Sequence, residues 1–549
     1  MNMNGIKVIL IGLDGMTLRV LEPYMKANLM PNFSSLTKNG CCGILSSTIP
    51  SLTGPGWSSM ATGKNPGKHG IYEFRRRNGY RTELVTRNTS PRAEPIWKTL
   101  SRNNKRVAVV NVPFTYPPDS VNGIMVSGMM TPDISSDFVF PGEFKKQLLK
   151  IIPDYRLDIY SGKFKITGRK DALVERVLQV TNDGRKLMRR LLDTHRWDFF
   201  FMTFVGPDRL QHFMWDEVVS MDPQCVRCYQ LIDDIIGDVL NRMDERTILF
   251  VGSDHGFAPA KRVFFVNNFL RRLGLLQTRK NPAPQNTRAG IHDTILRILS
   301  RTGLSEAKKL LPVRLVSAVR RSLSKGSVMG HEVDRKISPE EIEWTGTKVF
   351  SLLTSGIISV NLKEREPEGT VPPDQYDSVC RYVEEALLRV EDPLYKAKMV
   401  KAVFRGSDIY DGAYESSGPD LVVVMNEPYS ISERLGDSIV ADSKLDDRYM
   451  TGVHDRYGIY AACGPVINNS RTNADICDIA PTILYLMNTP IPYDVDGRVL
   501  TEIITPDFAA ENPVRFEQKV VSKDPETGRL GKAESDQIER QLKNLGYLD

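Results

Sequence analysis

Cysteine is scarce in this chain: seven residues among 549, an odd number with no framework spacing. That excludes a small scaffold stapled by disulfides and predicts reduced thiols, hence a cytosolic setting. The one CxxC, Cys225-Val-Arg-Cys228, has no second pair to complete a zinc site. Long apolar runs are missing too. None approaches the ~20 residues that cross a bilayer, and "KVILIGL" is too short, and too soon followed by Asp14, to serve as a signal peptide; export is not expected. No internal repeat marks a solenoid, and a formal charge of +6 over this length names no partner.

What is present begins with size. A chain of 549 residues exceeds what one hydrophobic core usually organises, which predicts a large core with inserted or appended modules. Short runs rich in Val, Ile and Phe end abruptly in Gly or Asp, at residues 8–13, 107–112, 199–205, 248–251 and 421–425. Lacking polar alternation, they read as strands buried on both faces. Helix-like stretches such as residues 93–100 and 172–192 lie between them. The order predicts an α/β sandwich with a mainly parallel sheet flanked by helices.

Charge is distributed unevenly. Residues 261–325 hold fifteen Lys and Arg against only Asp293 and Glu306. Within them "IHDTILRILSRTGL" and "VRLVSAVRRSLS" space their apolar residues by three and four, the pattern of amphipathic helices. The segment reads as an inserted basic helical cap, either a solvated face or a contact for an anionic substrate or membrane surface. Its aromatics, Phe264, Phe265 and Phe269, cluster at the start, which disfavours a stacking platform for nucleic acid. The expected organisation is a core over 1–260, the cap over 261–345, the resumed core over 346–515 and a polar tail over 516–549.

Four places combine a strand edge or turn with residues able to ligate metal: Asp14 in "LIGLDG", Asp208 and His212 in "VGPDRLQH", Asp254 and His255 in "LFVGSDHG", and His454 in "GVHDRYG". In open α/β sheets function collects at the carboxyl ends of strands. Carboxylates mixed with imidazoles suit Zn²⁺, with Mn²⁺ or Fe as alternatives. Six groups exceed one tetrahedral shell and divide into two sets of three, the arrangement of a two-metal centre with ions roughly 3.5–4 Å apart. Thr53, in "IPSLTGPGWSSMATG", reads either as a helix cap or as a nucleophile.

The order Asp14, Thr53, Asp208-x-x-x-His212, Asp254-His255, His454 resembles the alkaline phosphatase superfamily, in particular its type I phosphodiesterase/nucleotide pyrophosphatase and predicted phosphohydrolase/phosphomutase branches. "TGKNPGKHGIYEF", "SVNLKEREPEGTV" and "DIAPTILYLMNTPIPYDVDGRVL" extend the likeness over most of residues 5–500. The resemblance implies an alkaline-phosphatase-like fold and a phosphothreonine formed at Thr53. It implies one metal at Asp14, Thr53, Asp254 and His255, and another at Asp208, His212 and His454. Sulfatases of this superfamily use an oxidisable Cys or Ser followed by Arg; here Thr53 replaces the first and Trp57 the second. Nucleotide pyrophosphatases place an Asn where this chain has Gly56, so another group has to hold that phosphate oxygen. Lys64, Lys68, Arg209 and Arg456 are the cations nearest the motifs.

The expected activity is hydrolysis of a phosphodiester or pyrophosphate in a nucleotide, sugar-phosphate or lipid-linked anion. Phosphomutase or phosphotransferase chemistry through the same intermediate, monoester hydrolysis, and a binding module on a vestigial core are the alternatives.

Overall fold

The run Lys7–Leu13 feeds two apolar layers in alternation, Ile9, Ile11 and Leu13 on one side and Val8 and Leu10 on the other. A strand buried on both faces belongs inside a sheet covered by helices. The computed structural model describes residues 5–85, 93–159, 170–279, 337–435, 438–443, 450–517, 531–545 and 547. In it this strand lies at the middle of a nine-stranded sheet. The order is Ala474–Asp475, Cys41–Ser46, Tyr457–Cys463, Thr247–Gly252, Lys7–Leu13, Phe199–Phe204, Val107–Val110, Gly123–Val126 and Val139–Phe140. The central strands, from Thr247–Gly252 to Gly123–Val126, run parallel, and antiparallel pairs appear toward the edges.

Helices Lys170–Thr194, Pro223–Leu240 and Lys532–Leu545 cover one face, and Thr53–Thr62, Ile96–Arg102 and Ile479–Leu486 the other. Register then matters for function. Gly12 pairs with both Thr203 and Gly252, so three adjacent strands end level and deliver Asp14, the helix carrying Asp208, and Asp254 to one rim.

A second unit departs from the sequence expectation. Residues 421–425, read as part of the resumed core, lie in a separate four-stranded sheet of Val349–Phe350, Ile357–Val360, Leu421–Met425 and Val400–Arg405. A three-stranded sheet, Tyr429–Ser432, Arg262–Phe265 and Val440–Asp442, adjoins it, and Phe264, Phe350, Ile358, Leu421 and Val423 share its apolar centre. The core sheet is rejoined only at Tyr457, not at residue 346. A buried apolar run states that a sheet exists without stating which one, hence the misassignment. The start of the expected cap is likewise a strand and a short helix, Val266–Arg272, of this unit. Residues 280–336, including both expected basic helices, lie outside the described residues.

All seven cysteines are free and buried. No described helix is long and apolar enough to cross a membrane.

Gly12 couples the sheet to the site behind it: a Cβ there would lie 2.5 Å from Cη2 of Trp57 and 2.9 Å from Oγ1 of Thr203. Gly12→Ala is therefore expected to lower stability by about 1–3 kcal/mol through overpacking. Urea unfolding measures this; an unchanged midpoint would refute the packing argument.

Candidate metal centre

The strand Lys7–Leu13 runs straight into Asp14, which is fully buried. Its Oδ2 accepts from Trp57 Nε1 at 3.2 Å, while its Oδ1 has no hydrogen-bond partner. Asp254 follows the neighbouring strand, and its Oδ1 accepts from the Gly15 N–H at 3.1 Å while its Oδ2 is likewise unpartnered. Asp208 and His212 lie one turn apart on helix Gly206–Val219 and so face the same way. His454 arrives on the antiparallel pair Gly256–Pro259 and Gly452–Asp455, opposite Phe257.

The ligating atoms of Asp14, Asp254 and His255 lie within 4.8 Å of one another, and so do those of Asp208, His212 and His454. The two groups abut. His255 Nε2 is 3.2 Å from Asp254 Oδ2, 3.6 Å from Asp14 Oδ1 and 3.9 Å from Asp208 Oδ1. Thr53 is the first residue of helix Thr53–Thr62. The preceding Leu52 occupies the capping position, so Thr53 is not the cap. Its buried hydroxyl stands 3.4 Å from His255 Nε2.

The imidazoles are oriented by main chain. Nδ1 of His212, His454 and His255 each lies 3.1 Å from a backbone carbonyl, of Gly452, Ser51 and Gly256 respectively. Donating there fixes the proton on Nδ1 and leaves Nε2 as a lone pair aimed at the cluster. His212 Nε2 and His454 Nε2 then face each other at 2.9 Å, and two lone pairs do not bond. A cation shared between them resolves the contact. The unpartnered oxygens of Asp14 and Asp254 ask for the same thing, so the residues fit divalent ions.

Electrostatics agree. Burial, and then the Asp208 carboxylate, push the Asp14 carboxyl well above its usual range. Burial and Asp14 do the same to Asp254. Asp208 is buried too, yet His212 and Arg209 hold it well below that range. Desolvation lowers His255 and His454, keeping them in the neutral form that ligates metal.

The cations nearest the motifs are mostly committed elsewhere. Lys64, past the far end of the Thr53 helix, bonds Asp494 at 2.7 Å, and Lys68 pairs with Asp496. Arg209 is buried between Asp208 and Asp158, so it braces a carboxylate and is not presented to substrate. Lys64, Lys68 and Arg209, three of the cations considered for the phosphate oxygen, are thus each engaged by aspartates. Arg456 lines a cavity of ≈590 Å³ that also touches Leu52, His212 and His454, and its Nε is unpartnered. Gly56 has a steric reason: a Cβ there would lie 2.9 Å from the Asp254 carbonyl oxygen, so the asparagine of related enzymes has no room without displacing that segment.

The residue that sequence reasoning missed is Tyr547. Its hydroxyl donates to Asp208 Oδ2 at 2.9 Å and accepts from Arg209 Nη1 at 2.7 Å. The amphipathic "ESDQIERQLKNLGYLD" was the available signal, because such a helix has to bury its apolar stripe on something.

A mainly parallel sheet that gathers carboxylates and imidazoles at its strand ends, beside a helix-opening threonine, defines a metal-dependent hydrolase of phosphoric esters. The chain belongs to the type I phosphodiesterase / nucleotide pyrophosphatase family, whose model matches residues 8–455, within the alkaline phosphatase superfamily. No curated protein matches it. Among solved structures it is similar to human ectonucleotide pyrophosphatase / phosphodiesterase 5, at 14% identity and a TM-score of 0.50 over 91% of this chain and 99% of that one. It is also similar to phosphonoacetate hydrolase from Sinorhizobium meliloti 1021 in complex with phosphonoformate, at 14% identity and a TM-score of 0.51 over 88% of this chain and 96% of that one. At such identity the likeness establishes the shared fold alone.

Burial and mutual repulsion favour the protonated forms of Asp14 and Asp254, and a proton on either competes with an arriving cation. Metal binding to the stripped protein is therefore expected to release protons and to tighten as pH rises. Calorimetry in buffers of different ionisation enthalpy measures the release; a heat independent of buffer would count against it.

Proposed function

We propose that this chain hydrolyses a phosphodiester or pyrophosphate bond in a nucleotide, sugar-phosphate or lipid-linked anion through a covalent phosphothreonine at Thr53. The observation that carries the reading is the convergence, beside the Thr53 hydroxyl, of three Nε2 lone pairs and two unpartnered carboxylate oxygens. Two divalent cations, Zn²⁺ or alternatively Mn²⁺ or Fe, would be held by Asp14, Asp254, His255 and Thr53 and by Asp208, His212 and His454, supplying Lewis acidity and a lowered hydroxyl pKa.

The chain's own residues account for positioning. Thr53 opens a ten-residue helix, whose amino end favours an anion. Pro55 has no N–H, and that of Gly56 is taken by the Leu52 carbonyl at 2.8 Å, which leaves Thr53 and Gly54 to face a phosphate. The Thr53 Oγ1–P bond forms as the bond from phosphorus to the leaving oxygen breaks. Water then takes the phosphoryl group from the threonine and restores the hydroxyl.

The cavity favours a singly charged phosphate. Arg456 and Lys401 line it together with Glu73, Glu427 and Asp455, while Arg209 is spent on aspartates. A dianionic monoester would find little net positive charge there. Its volume, ≈590 Å³, falls within the range of small-molecule sites.

With metal restored, bis-p-nitrophenyl phosphate is expected to be cleaved faster than p-nitrophenyl phosphate, judged by kcat/KM; the reverse order would overturn the diester preference. Thr53→Ala should lower kcat by about 10³-fold or more with the fold retained, and unchanged turnover would remove Thr53 from the mechanism. Arg456→Ala should raise KM about tenfold with a smaller change in kcat, the size of one charge-assisted hydrogen bond.

A further inference from the structure

The C-terminal segment reaches the candidate metal centre from outside the family's matched region, residues 8–455. Helix Lys532–Leu545 buries Ile538, Leu542 and Leu545 in the large core. Polar contacts fix its outer side: Tyr116 Oη donates to Glu534 at 2.8 Å, Gln537 donates to Asp133 at 2.9 Å, and Glu539 pairs with Arg75 at 3.2 Å. Two residues past the helix, Tyr547 packs 4.8 Å from Phe74 and edge-on to His212 at 5.8 Å, measured between ring centroids.

The two oxygens of Asp208 are thereby given different tasks. Oδ1 faces His454 Nε2 at 3.2 Å and His212 Nε2 at 3.3 Å. Oδ2 is turned away and held by the Arg209 guanidinium and by the Tyr547 hydroxyl at 2.9 Å. Arg209 is shared with Asp158 at 2.8 Å, and Tyr547 closes the triangle by accepting from Arg209 while donating to Asp208. The same ring borders the cavity. A carboxylate without such an outer hold can rotate and lose its ligand geometry.

We propose that Tyr547 is a positioning residue, which pins the outer oxygen of Asp208 so that Oδ1 alone is presented with His212 and His454, and that the C-terminal helix exists in part to carry it there. The inference rests on the two-metal reading above. It makes the far end of the chain part of the site, although no motif of the family's matched region, residues 8–455, includes it.

The test is Tyr547→Phe in the full-length chain, titrated with Co²⁺ and followed by visible absorption, with metal analysis of the product. A second variant, ending at Leu545, keeps the helix and removes the ring. Expected for both is a 10- to 100-fold weaker affinity for one of two ions, a changed absorption band for that ion, and parental affinity for the other. In Tyr547→Phe, kcat for the diester should fall while KM stays within about twofold of the parent. Parental affinity for both ions in Tyr547→Phe would overturn the role of Tyr547 alone. So would an equal loss at both sites accompanied by a lowered unfolding midpoint, since that is the behaviour of a purely structural residue. A parent chain that takes up fewer than two ions would overturn the two-metal reading and this inference with it.

Discussion

Three fully buried carboxylates, Asp14, Asp208 and Asp254, crowd one dry corner of the sheet, and the rest of the site is arranged around balancing them. Removing a carboxylate from water costs several kcal/mol even after relaxation. Arg209 answers part of this, and it answers for Asp208 and Asp158. Asp208 is held low by His212 and by this guanidinium, while Asp14 and Asp254 are pushed up. The deficit of positive charge therefore sits on the side of the site where Thr53 and the unpartnered oxygens lie. A divalent cation is the compact remedy, because it offers two charges without side-chain volume.

Orientation comes from backbone. Each imidazole is pinned through Nδ1 to a carbonyl, so the aim of its Nε2 depends on the path of the main chain. The carbonyl serving His212 belongs to Gly452, in the strand that also carries His454, and that strand pairs with the one just after His255. That antiparallel pair supplies the carbonyls that aim His212 and His255, while His454, carried on it, is aimed by Ser51 just ahead of the Thr53 helix. Sheet register performs the matching task for the carboxylates by ending three strands at one level.

Much of this was legible in the sequence because it is local. A strand followed at once by Asp, an Asp and a His one turn apart, and a Thr before Gly-Pro-Gly announce themselves within a few residues. What failed depended on distance. Lys64 reads as close to Thr53, yet a helix of ten residues carries it roughly 15 Å down the axis at 1.5 Å per residue. Arg209 reads only as a cation close to a motif, because the direction of its side chain is set by Asp158, which no local pattern announces. The strand Leu421–Met425 is legible with its bounds but not with its sheet, since pairing partners are not encoded in a strand's own periodicity. Tyr547 was hidden for the same reason: a polar helix near a chain end shows that it will dock, not where.

That last residue changes how the site should be regarded as a folded object. Asp14 lies near the beginning of the chain, Asp208, Asp254 and His454 along it, and Tyr547 close to its end, yet Tyr547 bonds Asp208 directly and the His255 imidazole stands 3.6 Å from Asp14 and 3.9 Å from Asp208. No contiguous fragment contains the ligands and the group that steadies them. A cation that prefers the complete cluster over the unfolded chain stabilises only the state in which these distant segments have met. Binding energy gained at the rim of the sheet is consequently distributed through the C-terminal helix to the large core on which it packs. The positional precision required by phosphoryl transfer and the closure of the fold become one condition.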